Sequence, residues 1–315
     1  MKGIMYHYVR PFDPLFPNLK SLHIDDFRKQ LDFFESEYGF VSKADFINSF
    51  KSGIVPNGVV LTFDDGLSCH YKYVYKELKK RDLWGVFYIP TLPFIEQKII
   101  DVHRIHILLA SNDSRKVYET IMSYLTDDML DKKSENEFRS MVYKLQVNDN
   151  YTLLTKKTLN YFIKYEFREI IIDKVINKLI PNFEKILLNY YLTNNQIKEM
   201  HDNGMVIGSH TVSHPVLSKI SKNKQFNEIN DSFNYLEKIV DEFDIKTFCY
   251  PYGGFHSFDD NCEIILDSLK CSFSFNVEQR DIEKNDLLNR KQALPRYDCN
   301  QFQFGQVREL KKELI

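Results

Sequence analysis

Apolar residues in this chain fall into two patterns: short continuous runs, and longer stretches in which they return every three or four positions. The clearest run is Val59-Val60-Leu61-Thr62-Phe63, bounded by Gly58 and by Asp64-Asp65-Gly66, and it reads as a buried strand that delivers two carboxylates to a rim. Residues 3–9 read as an earlier strand ending near His7, after which Pro11, Pro14 and Pro17 impose a loop. Phe27, Leu31 and Phe34 then recur at helical spacing up to Gly39, with Asp25 and Asp26 in the first turn, where a helix dipole favours acids. A short helix over 44–51, closed by Gly53, and a turn at Pro56-Asn57-Gly58 lead into the acid-bearing strand. Tyr71, Val74, Tyr75 and Leu78 form another helical face, and residues 84–90 another strand.

From about residue 97 to 192 the chain turns polar and rich in Lys, Asp and Asn, with apolar residues at helical spacing (Ile105, Leu108, Leu109; Tyr118, Ile121, Met122; Ile171, Val175, Leu179). This reads as a helical insertion, too apolar to be wholly disordered, with 127–137 as its expected flexible part. Strand and helix alternation resumes with helix 193–203, strand 205–209, helix 223–242, strand 246–250, helix 258–269, strands 271–277 and 292–297, and an amphipathic segment from about 300 to 313. The pattern predicts an α/β fold, a distorted (β/α) barrel of about seven strands, whose active site lies at the C-terminal strand ends. The expected division is 1–96 and 193–315 for the two parts of the barrel and 97–192 for the insertion. His7, Asp64, Asp65, His210, Tyr252 and Arg296 all fall at or just beyond expected strand ends.

Composition narrows the function. At 315 residues, 43% hydrophobic and 14% aromatic, the chain can bury a large core. A net charge of -2 offers no electrostatic case for nucleic acid or an acidic membrane surface. No stretch approaches the roughly 18 apolar residues of a membrane helix, and the N-terminus runs into a strand pattern rather than a signal peptide. The five cysteines (Cys69, Cys249, Cys262, Cys271, Cys299) are odd in number and lack C-x-x-C spacing, which fits free thiols. The expectation is a cytoplasmic protein.

The chemistry concentrates in two places. Adjacent carboxylates at the end of a buried strand repel each other unless a cation takes one and a hydrogen-bonding partner holds the other. His210 and His214, four apart after the apolar run Met205-Val206-Ile207, could offer both imidazoles to one ion, and an added carboxylate would complete a site with open positions, suited to Zn²⁺ and hydrolysis. Thr62-Phe63-Asp64-Asp65-Gly66, then His210-Thr211-Val212-Ser213-His214, then Phe248-Cys249-Tyr250-Pro251-Tyr252-Gly253-Gly254 together resemble the polysaccharide deacetylase family with the NodB homology domain. The resemblance implies that Asp65, His210 and His214 hold a divalent metal, that Asp64 is the general base, and that the backbone N–H of Tyr252 contributes to the oxyanion site.

Two departures from the family pattern matter. Many members carry an arginine where this chain has Cys249, and a late Leu-x-His motif where this chain has no histidine beyond His256. Met5-Tyr6-His7-Tyr8-Val9 is similar to the early Tyr-His motif of the poly-N-acetylglucosamine deacetylase subgroup, which implies His7 as the general acid. Arg296, in Leu294-Pro295-Arg296-Tyr297-Asp298, is the candidate to replace the missing arginine and pair with Asp64. His103, His106 and His256 read as helix-face and loop residues, and His23, His70 and His201 as structural or surface ones. The expected activity is removal of an N-acetyl or other N-acyl group from an amino sugar in a cytoplasmic glycan or its precursor. The alternatives are a sugar O-deacetylase, a deformylase, or a carbohydrate-binding relative without turnover.

Overall fold

A computed structural model of the chain describes residues 1–140, 142–143 and 148–308. It contains two compact units: Met1–Phe12, Lys20–Phe94 and the described residues from Asn189 onward form the first, and Asp13–Leu19 with Ile95–Leu188 the second.

The first unit is built on a seven-stranded sheet in the order β6-β5-β4-β3-β2-β1-β7. The strands are β1 (Lys2–Tyr6), β2 (Val59–Asp64), β3 (Val86–Ile89), β4 (Val206–Ser209), β5 (Thr247–Cys249), β6 (Phe273–Phe275) and β7 (Tyr297–Asp298). All neighbours are parallel, with helices as crossovers, so both faces are covered and all six residues of β2 are buried. The period of two along each strand sorts side chains into two cores. Ile4, Tyr6, Leu61, Phe63, Phe87, Ile89 and Ile207 pack with Phe27, Leu31 and Phe34 of the helix Ile24–Glu37. Val60, Val86, Tyr88, Val206, Cys249 and Phe275 make up the opposite face. Each fully buried large apolar side chain contributes about 1.5–3 kcal/mol.

Leu294 bridges Phe275 of β6, while Tyr297 and Asp298 pair with Ile4 and Met5 of β1, so one short segment joins the two edges of the sheet into a distorted barrel. Gly3 suits the close approach at that seam: a Cβ there would lie 3.1 Å from the Pro295 carbonyl oxygen and 3.2 Å from Cγ of Arg296.

The second unit is helical. Helices Asp101–Ser111, Ser114–Met122 and Tyr165–Leu179 bury Ile105, Leu108, Val117, Ile121, Ile171, Ile172 and Val175 together. Among the described residues no helix is long and apolar enough to cross a membrane.

Several local expectations change. The helical face at 71–78 is a π-helix, His70–Tyr75, that runs into the α-helix Lys76–Lys80. The strand expected over 292–297 is a 3-10 turn, Lys291–Ala293, followed by the two-residue β7, because Pro295 has no N–H for a ladder. Arg296 therefore precedes a strand instead of ending one. Residues 127–137 contain a 3-10 turn, Asp127–Met129, and the helix Lys132–Phe138, whose N-terminus is capped by Asp131 accepting from the N–H groups of Lys133 and Ser134. Of the amphipathic segment expected over 300–313, residues 299–301 form a 3-10 turn with no helix after it to 308, and 309–313 lie outside the described residues.

Candidate metal centre and active site

Parallel register brings the C-terminal ends of β1, β2, β4 and β5 side by side, through the pairs Tyr6↔Phe63, Asp64↔Tyr88, Ile89↔Ser209 and Ser209↔Phe248. At that rim the two neighbouring acids part company. Asp64, the last residue of β2, receives two parallel bonds from Arg296, Nη1 to Oδ1 at 2.8 Å and Nη2 to Oδ2 at 2.9 Å. Arg296 also donates from Nη1 to Thr62 Oγ1 at 2.9 Å, from Nη2 to Cys249 Sγ at 2.9 Å and from Nε to the Asn276 carbonyl at 3.1 Å, so all five of its N–H groups have an acceptor. Its guanidinium carbon also lies 5.9 Å from the Tyr88 ring centre and 5.6 Å from that of Phe275. Burial pushes the Asp64 carboxyl up, but the Arg296 charge and its hydrogen bonds outweigh it and hold Asp64 below the usual carboxylate range. Burial likewise disfavours the charged guanidinium, and Asp64 reverses that and raises the Arg296 pKa. The pair is ionised and fixed.

Asp65, which follows β2 with a left-handed backbone at φ 85°, has different partners. Its Oδ1 lies 3.5 Å from Nε2 of His210 and 3.5 Å from Nε2 of His214, and its Oδ2 lies 4.0 Å from Nε2 of His7. The loop after β4 carries both histidines. Thr211 and His214 are left-handed, at φ 67° and 59°, and the Thr211 hydroxyl accepts the His214 N–H at 2.9 Å. Glu228, half-buried on the helix Lys222–Val240, closes this loop: one oxygen accepts the N–H groups of Val212 (2.9 Å) and Ser213 (2.8 Å), and the other the Ser213 hydroxyl at 2.5 Å. Tyr252, at φ 65°, follows β5 with its ring 4.9 Å from that of His214. Gly253 next to it permits no side chain, since a Cβ would stand 2.2 Å from Cγ2 of Val277. Asp65, Thr211, His214 and Tyr252 thus hold a conformation that costs an L-residue about 1–3 kcal/mol, strain concentrated in the motif loops.

One ligand atom each from Asp65, His210 and His214 lies within 4.8 Å of the others. The donor set fits a cation for a specific reason. His210 Nδ1 is 2.7 Å from the Cys249 carbonyl, which can only accept, so the ring proton sits on Nδ1 and the bare Nε2 lone pair faces Asp65. Burial lowers the His210 pKa and keeps the ring neutral. A lone pair and a carboxylate directed at each other repel unless a positive charge lies between them. Asp64, His210 and Cys249 also approach within 4.8 Å, but the Arg296 guanidinium already occupies that side.

The seven residues expected at the site divide accordingly. Asp64 and Arg296 form one pair; Asp65, His210 and His214 form the donor set; His7 stands beside Asp65 with its side chain 39% exposed, and the Tyr252 ring stands against His214. His103 and His106 belong to the helix Asp101–Ser111 of the second unit, and His256 lies outside the donor set. Reading the sequence missed Glu228 and Cys249 as members of the site. Glu228 lies 14 residues beyond His214 on an amphipathic helix, where nothing local distinguishes it from a surface acid. Among its neighbours, Cys249 registers only as the absence of an arginine.

Residues 135–269 match the family model described as Polysaccharide deacetylase, a span that holds His210, His214 and Tyr252 but begins after the acid pair. No curated protein matches the chain in sequence. The fold is similar to that of the Streptococcus pyogenes deacetylase PplD in complex with acetate, at 20% identity and TM-score 0.56 over 95% of this chain and 91% of that one. It is also similar to a de-N-acetylase from Aggregatibacter actinomycetemcomitans (14% identity, TM-score 0.51, 94% of this chain and 93% of that one). A third likeness is to the BpsB deacetylase domain from Bordetella bronchiseptica (11%, TM-score 0.50, 94% of each chain). At these identities the likeness is one of fold.

Proposed function

Taking as premise the match of residues 135–269 to the polysaccharide deacetylase family model and the motifs that resemble that family, we propose that the chain is a metal-dependent hydrolase that removes an N-acetyl group from an amino sugar in a glycan or glycan precursor. The observation that carries the reading is the division of Asp64 and Asp65: one carboxylate is locked to Arg296, the other faces two histidine nitrogens, and both sit at one rim. Asp65, His210 and His214 would hold the ion, and two imidazoles with one carboxylate suit Zn²⁺. When bound, such an ion polarises the acyl carbonyl and acidifies the attacking water.

The residues of the chain supply the rest. Asp64 accepts the water proton, and because Arg296 makes it a weak base, it serves only a water that is already acidified. His7, on the far side of Asp65 and open to solvent, protonates the leaving nitrogen. The N–H of Tyr252 would stabilise the charge that develops on the acyl oxygen. A reducing, cytoplasmic setting suits the five cysteines, all of them free thiols.

The test is acetate release from acetylated chitooligosaccharides and from nucleotide-linked N-acetylamino sugars, with and without a chelator. Chelator-sensitive acetate release is expected. Formate release or ester-only turnover would transfer the reading to a deformylase or an O-deacetylase, and binding without turnover would leave a carbohydrate-binding protein.

A further inference from the structure

The peptide that carries His7 lies in a gap between two regular pairings. β1 stops at Tyr6, paired with Phe63, and the next bridge joins Val9 to Leu22. Within the gap the Tyr8 carbonyl accepts the Leu22 N–H at 2.9 Å. The His7 carbonyl is met by a side chain instead: Nε2 of His70 stands 2.8 Å away. His70 is fully buried, its ring centre 5.8 Å from that of Phe63 and 5.9 Å from that of Phe87, at the start of the π-helix His70–Tyr75. π-Helical turns are rare and recur at functional sites.

A carbonyl only accepts, so the His70 proton resides on Nε2, and among the described residues its buried Nδ1 has no hydrogen-bond partner. A leucine would fill the slot between Phe63 and Phe87 without leaving a buried nitrogen unsatisfied, so for packing alone the imidazole is the poorer choice. What it adds is the donor to His7.

We propose that His70 is a positioning residue for His7: it pins the His7 carbonyl where β1 ends and so aims the His7 side chain at the leaving group. The inference rests on the reading of His7 as the general acid. His70 touches neither substrate nor metal ligand in this role; it acts on a peptide that lies beyond the last β1–β2 pair. A general acid that wanders by an ångström loses most of its effect while the base and the donor set stay in place.

The experiment compares His70→Gln, whose Nε2 can carry the donor to the same place, with His70→Met and His70→Leu, which keep the bulk and lose it. Each is assayed on an acetylated chitooligosaccharide, whose amine must be protonated as it leaves, and on 4-nitrophenyl acetate, whose leaving group needs no proton. For Met and Leu, amide hydrolysis should fall about 10- to 100-fold. Ester hydrolysis should fall less than about threefold, with bound metal unchanged and Tm equal or higher. His70→Gln should restore most of the amide activity. Amide turnover kept within about threefold in a folded Met or Leu variant, or equal loss on both substrates, overturns the proposal. Should these variants fail to fold, ¹⁵N-histidine NMR of the wild-type protein decides: a protected His70 Nε2–H supports it and an Nδ1–H tautomer overturns it. His7→Ala is the control. Equal loss on both substrates there defeats the acid reading itself, whereas a split in His7→Ala with none in the His70 variants defeats only this inference.

Discussion

Arg296 and Asp64 lie 232 residues apart in the chain and meet through two parallel hydrogen bonds of 2.8 and 2.9 Å at the C-terminal end of β2. The arginine enters from the segment that joins β6 to β1, and Cys249, on β5, accepts one of its N–H groups at 2.9 Å. Removing one member of a buried pair strands the other's charge, and Arg296→Met should therefore cost about 3–5 kcal/mol of stability, with Asp64→Asn added to it recovering part of the loss. Chemical denaturation of the two single variants and the double variant measures this. A loss under about 1 kcal/mol in Arg296→Met would mean that the pair contributes no more than a surface salt bridge.

The adjacent acids should respond differently to the same change. Asp64→Asn should keep its metal and lose about 100- to 10,000-fold in turnover, because an amide cannot take up the water proton. Asp65→Asn should lose metal affinity. Elemental analysis beside kinetics separates them, and equal metal loss in both would undo the division of roles.

His214→Ala removes one of the three donors and should strip metal and activity together, leaving the barrel folded. Full metal content in that variant would exclude His214 as a ligand.

Glu228 orders the histidine loop through two backbone N–H groups and a hydroxyl. Glu228→Ala should weaken metal binding about 10- to 100-fold, whereas Glu228→Gln, which can still accept both N–H groups, should bind almost normally. Competition with a chromogenic chelator reads the affinity, and identical behaviour of the two variants would show that the loop holds itself.

His70 also makes stability depend on pH. Burial lowers its pKa from 6.5 to about 4, so between these values the unfolded chain binds a proton that the folded one does not. The contribution is complete above pH 6.5 and is lost as pH falls toward 4, roughly 3 kcal/mol in all. His70→Leu should flatten the stability profile in that window, and an unchanged slope would place the titration elsewhere.

Much of this protein can be read from its sequence because the relevant physics is local. A run such as 59–63 is apolar at every position but Thr62 because both faces of β2 are covered, and Phe27, Leu31 and Phe34 return at helical spacing because a single face of their helix is buried. The acid pair and the histidine pair are legible for the same reason: each lies within a few residues of the end of one strand. Tertiary structure decided what depends on meetings between distant segments. The partner of Asp64, the clamp of Glu228 on the histidine loop and the bond from His70 to His7 join residues 232, 15–16 and 63 apart, and no local pattern records them. Nor does composition reveal the left-handed backbone of Asp65, since that conformation is imposed by the packed barrel against the residue's own preference.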